Sequence, residues 1–202
     1  GQRVLEELRE QGRGTAPELF VGDLSSMGDV RRVALEVRER HGRLDVLVNN
    51  GGKQVAQDSI EDIDDEQLEA TFDINILAQF RLVKAALPHL KKSRGRVVTV
   101  ASTLGIKAVS DATAYCASKF GVVGFTRALA AETAGEVGVT LLIPGGMHTH
   151  FFDDRTEQYK PGPDAVLNQP ADVAAAVVFA LSQPAGCELR ELVIACSTET
   201  SW

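Results

Sequence analysis

Arg96-Val97-Val98-Thr99-Val100-Ala101-Ser102 decides the fold. The stretch is rich in β-branched residues, follows a Ser-Arg-Gly turn at 93–95, and reads as a buried parallel strand ending at Ser102. Upstream, Leu44-Asp45-Val46-Leu47-Val48 is a second short apolar strand, stopped by Asn49-Asn50-Gly51-Gly52. Downstream, Val139-Thr140-Leu141-Leu142-Ile143 is a third, running into Pro144-Gly145-Gly146-Met147-His148-Thr149. Glu18-Leu19-Phe20-Val21, before Gly22-Asp23, and Glu191-Leu192-Val193-Ile194-Ala195 read as further strands. Helical patterns lie between them. Ser26-x-x-Asp29 opens one that runs to about His41-Gly42, and Asp64-x-x-Gln67 opens a long one with Leu68, Phe72, Ile76, Phe80, Val83 and Leu87 as its stripe. Another runs from about Ala112 to Ala134, where Gly121 and Gly124 suit close helix packing, and Gln169-Pro170 begins the last. This alternation is the pattern of an α/β protein, a doubly wound parallel sheet covered on both faces. In such sheets ligands bind at the carboxyl ends of the strands, where this chain places its polar, glycine-containing turns.

One of the helices carries Tyr115-Cys116-Ala117-Ser118-Lys119. Residues four apart share a helix face, so the phenol and the ammonium lie on one side. Free tyrosine loses its proton near pH ~10, and lowering that value by ~3 units takes about 4 kcal/mol. One cation about 4 Å away at an effective dielectric near 20 supplies roughly that much, so the spacing predicts a tyrosine able to trade protons at pH 7. Alone, Tyr-x-x-x-Lys occurs on many surface helices; Ser102 and Asn75 upstream give it meaning.

Taken in order, Asp23-Leu24, Asn49-Asn50-Gly51-Gly52, Asn75, Ser102, Tyr115-x-x-x-Lys119 and Pro144-Gly145-x-x-x-Thr149 resemble the short-chain dehydrogenase/reductase family, in its ordinary single-domain form. The resemblance extends over most of the chain. It implies a Rossmann-like sheet and an oxidoreductase that interconverts a secondary alcohol and a ketone by hydride transfer with NAD or NADP, which the sequence does not distinguish. It also implies roles. Tyr115 is the general acid/base, Lys119 lowers its pKa and binds the nicotinamide ribose, Ser102 orients the substrate oxygen, and Asn75 holds a water in a proton relay at a disturbed point of its helix. Asp23 and Leu24 meet the adenine, and Asn49, Gly51 and Gly52 let the backbone pass the adenosine ribose. Pro144, Gly145, Met147 and Thr149 contact the nicotinamide. On residues alone, Asp23 is equally a helix cap, Ser102 a strand-ending cap and Pro144-Gly145 a plain turn. The segment from Phe151 to Asn168 falls where the family places its substrate lid, and its phenylalanines suit an apolar or mixed substrate.

Two departures stand out. Gly51 replaces the family's usual alanine. More seriously, no Gly-x-x-x-Gly-x-Gly or Gly-x-Gly-x-x-Gly occurs, and Gly1 already lies within an apparent helix striped by Val4, Leu5 and Leu8. Residues 1–202 are thus expected to form a single NAD(P)-binding domain without the family's first two strands and first helix, an N-terminally incomplete sheet. The 202-residue chain by itself is expected to bind dinucleotide weakly or not at all. A truncated, non-catalytic relative acting as a subunit or interaction domain is the alternative.

Composition narrows the partners. A net charge of −7 argues against nucleic acid. Three cysteines without metal-ligand spacing fit a reducing cytoplasm. The apolar run from Val173 to Leu181 is too short to span a bilayer, so no membrane association is expected. His148 and His150, two apart and lacking a third ligand, do not make a metal site. The remaining expectations are a small alcohol or ketone substrate and, by resemblance, a homodimer or homotetramer.

Overall fold

A computed structural model describes residues 17–53, 59–153 and 155–199. Four strands form one parallel sheet in the order β1 (Val46–Asn49), β2 (Arg96–Val100), β3 (Gly138–Pro144), β4 (Glu191–Ile194). Its register pairs Val48 with Val98 and Val98 with Thr140. The helices are α1 (Met27–Arg40), α2 (Asp65–Phe72), α3 (Ala78–Ser93), α4 (Thr113–Glu132) and α5 (Pro170–Leu181).

Side chains of a strand point alternately to its two faces, and β2 shows both being buried. Val97 packs with Val83, Leu90 and Leu129 beneath α3 and α4. Val98 and Val100 pack with Leu142 and Val173 on the α5 side. Such double burial explains why the central strands read as continuous apolar runs rather than alternating ones. Among the described residues β1 is an edge strand, with Val46 and Val48 exposed.

Helix starts follow the sequence signals. Ser26 accepts from the Asp29 amide at the head of α1, and Asp64 and Gln67 form a reciprocal capping box at the head of α2. Pro170 occupies the first turn of α5, where its missing N–H costs nothing. The long helix opened by Asp64 is not continuous α-helix: Asp73–Leu77 is π-helical, with Asn75 buried at its middle. Of the stripe expected along it, Val83 is buried while Leu68 and Phe80 stand exposed.

Two expectations are corrected. Glu18–Val21 is not a strand. A strand exists through a neighbour's hydrogen bonds, and none of the described strands pairs with this segment: the Val21 carbonyl accepts instead from the Arg32 side chain (2.8 Å), while the Glu18 carboxylate accepts from Arg40 (2.9 Å), whose guanidinium lies 5.3 Å from the Phe20 ring centre. The helix expected around Val4, Leu5 and Leu8 lies outside the described residues. The packing role assigned to two glycines holds for only one of them. A Cβ on Gly121 would come within 2.7 Å of the Ile76 side chain, whereas one on Gly124 would meet nothing within 4 Å.

Gly105 is more tightly confined: a Cβ there would lie 2.7 Å from the Lys119 carbonyl oxygen, a backbone atom that cannot swing aside. Gly105→Ala is therefore expected to destabilise the fold by about 1–3 kcal/mol. Gly124→Ala, in an open helical position, should stabilise it by about 0.5–1 kcal/mol. Urea unfolding of the two variants checks the opposite signs.

Candidate active site

Four segments converge at the carboxyl edge of the sheet around a cavity of about 490 Å³. They are the turn after β1 (Asn50, Gly52), the residues after β2 (Ser102 to Leu104), the first turns of α4 (Tyr115, Lys119) and the turn after β3 (Pro144 to Thr149). Ser102 caps a short 3₁₀ turn, its hydroxyl accepting from the Leu104 amide at 3.1 Å, and it is also hydrogen-bonded to the Tyr115 phenol. That turn carries Gly105, so its contact with the Lys119 backbone fixes Ser102 relative to α4.

Lys119 is buried, and its ammonium donates to the Val100 carbonyl at 3.4 Å. A Cβ on Gly52 would fall 2.9 Å from this nitrogen, so glycine there makes room for it. Asn75 sits immediately behind. Its Oδ1 accepts from the Lys53 amide at 2.7 Å and its Nδ2 donates to Ser118 Oγ at 2.9 Å; the Ser118 hydroxyl in turn donates to the Tyr115 carbonyl at 2.7 Å. The π-helical turn, α4 and the turn after β1 are thereby tied through one amide.

The electrostatics differ from the sequence expectation. Burial pushes the Tyr115 phenol up to about 12, with the Ser102 hydrogen bond and the charge of Arg155 opposing the rise. Burial also brings Lys119 down to about 8. The Lys119 ammonium lies 5.7 Å from the centre of the Tyr115 ring. Desolvation is the largest influence on both groups.

Of the residues expected to bind cofactor, Gly52, Tyr115, Lys119, Pro144, Gly145, Met147 and Thr149 line the cavity. Thr149 caps the following 3₁₀ turn, accepting from the Phe151 amide at 3.3 Å. Asn49 is buried below the cavity and donates to the Gln79 carbonyl, while Gln79 donates to the Gly51 carbonyl at 2.6 Å. Asp23 is exposed and organises its own turn, accepting from the Ser25 amide and hydroxyl, which hold its carboxyl below the usual range. Leu24 reaches toward Gly51, 3.7 Å from where a Cβ would be. The Asp23-Leu24 turn and the turn after β1 are therefore neighbours at one edge. A side-chain-free floor at Gly52 beside a buried ammonium fits the ribose and nicotinamide half of a dinucleotide.

Sequence reasoning missed Gln79, Ser118, Arg155 and Glu199. Arg155, Phe151 and Phe152 reach the cavity from the segment after β3, and Glu199 accepts from the Gly146 amide at 3.3 Å. His150 pairs with Asp153 at 2.6 Å on the surface.

The short chain dehydrogenase family profile matches residues 1–160. Bovine L-fucose dehydrogenase is 32% identical over 221 residues, covering 100% of this chain and 82% of its own length. Estradiol 17-beta-dehydrogenase 11 of Macaca fascicularis is 38% identical over 166 residues, 79% of this chain and 55% of its own. Among solved structures, an alcohol dehydrogenase from the archaeon Thermococcus sibiricus complexed with 5-hydroxy-NADP superposes with a TM-score of 0.86 at 24% identity, covering 98% of this chain and 83% of that one. That last likeness is one of fold.

The buried ammonium has a thermodynamic consequence. Below pH 8 the folded and unfolded chains both hold its proton, and folding carries the whole cost of burying the charge. Between about 8 and 10.5 the folded lysine releases its proton first, so its contribution to stability rises with pH. Lys119→Met is expected to raise the unfolding free energy by about 2–3 kcal/mol at pH 7, with the gain fading by pH 10.5. Guanidinium titrations at pH 7 and pH 10 check it; a variant less stable than its parent at both would refute the cost.

Proposed function

The chain belongs to the short-chain dehydrogenase family, and from that premise we propose that it interconverts a secondary alcohol and a ketone, with Tyr115 as the general acid/base. It is an NAD(P)-dependent oxidoreductase. The observation that carries the finer reading is the grouping of Ser102, Tyr115 and Lys119 around one cavity, the serine hydroxyl hydrogen-bonded to the phenol. When bound, the nicotinamide ring supplies hydride to the carbonyl carbon or takes it from the carbinol.

The chain's residues manage the oxygen and its proton. Ser102 donates to the substrate oxygen and holds it against Tyr115, which fixes the carbon's position as well. With its pKa near 12, Tyr115 is protonated at neutral pH, the form required to protonate a ketone oxygen as charge builds on it. A nascent alkoxide is far more basic than a phenolate, so the transfer runs downhill. In the reverse direction the tyrosine must ionise first, and the Lys119 and Arg155 charges favour that. Lys119 binds the ribose hydroxyls at the Gly52 floor. Asn75 backs it, positioned to order a water between Lys119 and solvent. Pro144, Gly145, Met147 and Thr149 hold the carboxamide side, while Asn49, Gly51, Asp23 and Leu24 hold the adenosine side.

Residues 1–202 act as one dinucleotide-binding unit in this reading. Exposed Leu77 and Phe80 near the start of α3 and Phe120 on α4, together with Val178 and Phe179 on α5, support assembly into a homodimer or homotetramer. Among the described residues no helix is long and apolar enough to cross a membrane.

In a form that binds the cofactor, Tyr115→Phe should lower kcat for ketone reduction by about 10²–10⁴-fold while leaving NAD(P)H affinity nearly unchanged, because the phenol's ring and backbone contacts remain. A panel of secondary ketones with NADH and NADPH, alongside calorimetric titration of each cofactor, reads both quantities. Undiminished turnover in Tyr115→Phe would remove the mechanism.

A further inference from the structure

Two buried carboxamides hold the glycine turn after β1. Gly52 and Lys53 stand exposed in that turn, whereas Asn75 and Gln79 are buried. Residues four apart share a helix face, and both side chains of this pair reach the same short stretch of backbone. Asn75 Oδ1 accepts from the Lys53 amide at 2.7 Å, and Gln79 Nε2 donates to the Gly51 carbonyl at 2.6 Å. One carboxamide therefore takes a donor of the turn and the other an acceptor. The helix is tied back in return, since the Asn49 side chain donates to the Gln79 carbonyl at 3.2 Å. Gln79 thus joins the last residue of β1 through its backbone and the turn beyond it through its side chain.

The neighbouring turn hangs from the same helix. Arg81, two residues beyond Gln79 in α3, donates to the Ser25 carbonyl at 2.8 Å. Leu24, between Asp23 and Ser25, comes within 3.7 Å of where a Gly51 Cβ would be. Both turns proposed to take the adenosine side are therefore hydrogen-bonded to α3. Packing alone is a poor account of Gln79. Its Oε1 is buried without a hydrogen-bond partner among the described residues, a penalty that an apolar side chain of the same length would avoid.

Resting on the proposed adenosine placement, we infer that Gln79 is a positioning residue: by fixing the Gly51 carbonyl it sets the shape in which the glycine turn meets NAD(P), and so sets dinucleotide affinity without touching the ligand. Two consecutive glycines have more backbone freedom than any other pair of residues. A loose turn must be ordered when the ligand arrives, and the lost entropy is subtracted from affinity; a turn already held avoids that loss. The side chain that does the holding is out of the ligand's reach, beneath the backbone it restrains.

Gln79→Met keeps the length of the side chain and removes its donor; Gln79→Asn keeps the carboxamide but falls one methylene short of Gly51. In the 202-residue chain, hydrogen exchange read by NMR at the Lys53 amide should quicken by about 10-fold in both variants, because the turn that presents this amide to Asn75 is loosened. The urea midpoint of Gln79→Met should match or exceed that of wild type, since the substitution also removes an unpaired buried acceptor. In a form that binds the cofactor, calorimetric titration should show NADH and NADPH bound about 5–50-fold more weakly by both variants. Affinity lost at an undiminished midpoint is what a merely structural side chain would not produce. Unchanged exchange at Lys53 would overturn the clamp. Faster exchange with unchanged affinity would overturn the positioning role and count against the adenosine placement, and affinity that falls only in step with the midpoint would make Gln79 structural. None of these readouts needs turnover, so a failure of the Tyr115 mechanism leaves them standing.

Discussion

The structure around the cavity depends on burying one ammonium at the ends of two strands. Lys119 reaches from α4 to the Val100 carbonyl at the end of β2, beneath a glycine in the turn after β1. Two segments distant in sequence approach that one nitrogen, and both do so through backbone rather than side chain. Gly52 leaves space for the nitrogen itself, and Gly105 lets the turn after β2 lie against the Lys119 carbonyl. The desolvation that lowers Lys119 to about 8 also raises Tyr115 to about 12, so the cavity favours the neutral form of both. Burial of that kind is costly to stability and, in the proposed reaction, useful to proton transfer, because a neutral acid close to a developing alkoxide gives up its proton without competition from water.

Much of this was legible from residue order. Strands at 96–100 and 138–144 announced themselves by length, β-branching and the turns that stop them, since burial on both faces leaves little else possible. Caps at Ser26 and Asp64 did likewise, because a helix start needs acceptors at fixed offsets. Glu18–Val21 carried the same local signals and failed, as a strand is a relation between two chains of atoms rather than a property of four residues. Gly121 and Gly124 show a similar limit: both occur in one helix, yet only the first faces a neighbour.

At the site, spacing established that Tyr115 and Lys119 share a helix face but not where the lysine's four methylenes deliver its charge. That end point is set by Val100, on β2, and Gly52, in the turn after β1. The sign of the tyrosine shift follows from burial, and burial is a property of the assembled fold. Arg155 and Glu199 escaped notice for the same reason. They come to the cavity from beyond β3 and beyond β4, and no periodicity links them to α4.

Gln79 explains how the turn after β1 is held in place. Its side chain donates to the Gly51 carbonyl while its own carbonyl accepts from Asn49, closing a short circuit between β1, α3 and the glycines. Two consecutive glycines would otherwise leave this turn free to sample many conformations, and the freedom that admits a ligand would also blur its binding surface. The circuit has a visible cost. Asn49 Oδ1, Gln79 Oε1 and the Thr99 hydroxyl, which sits across from Asn49 in the β1–β2 register, are buried without hydrogen-bond partners among the described residues. An apolar trio would pack there more cheaply. Polar side chains at these positions make sense only if fixing the Gly51 carbonyl matters more than the stability they forgo, which is the expected balance beneath a binding surface made of backbone.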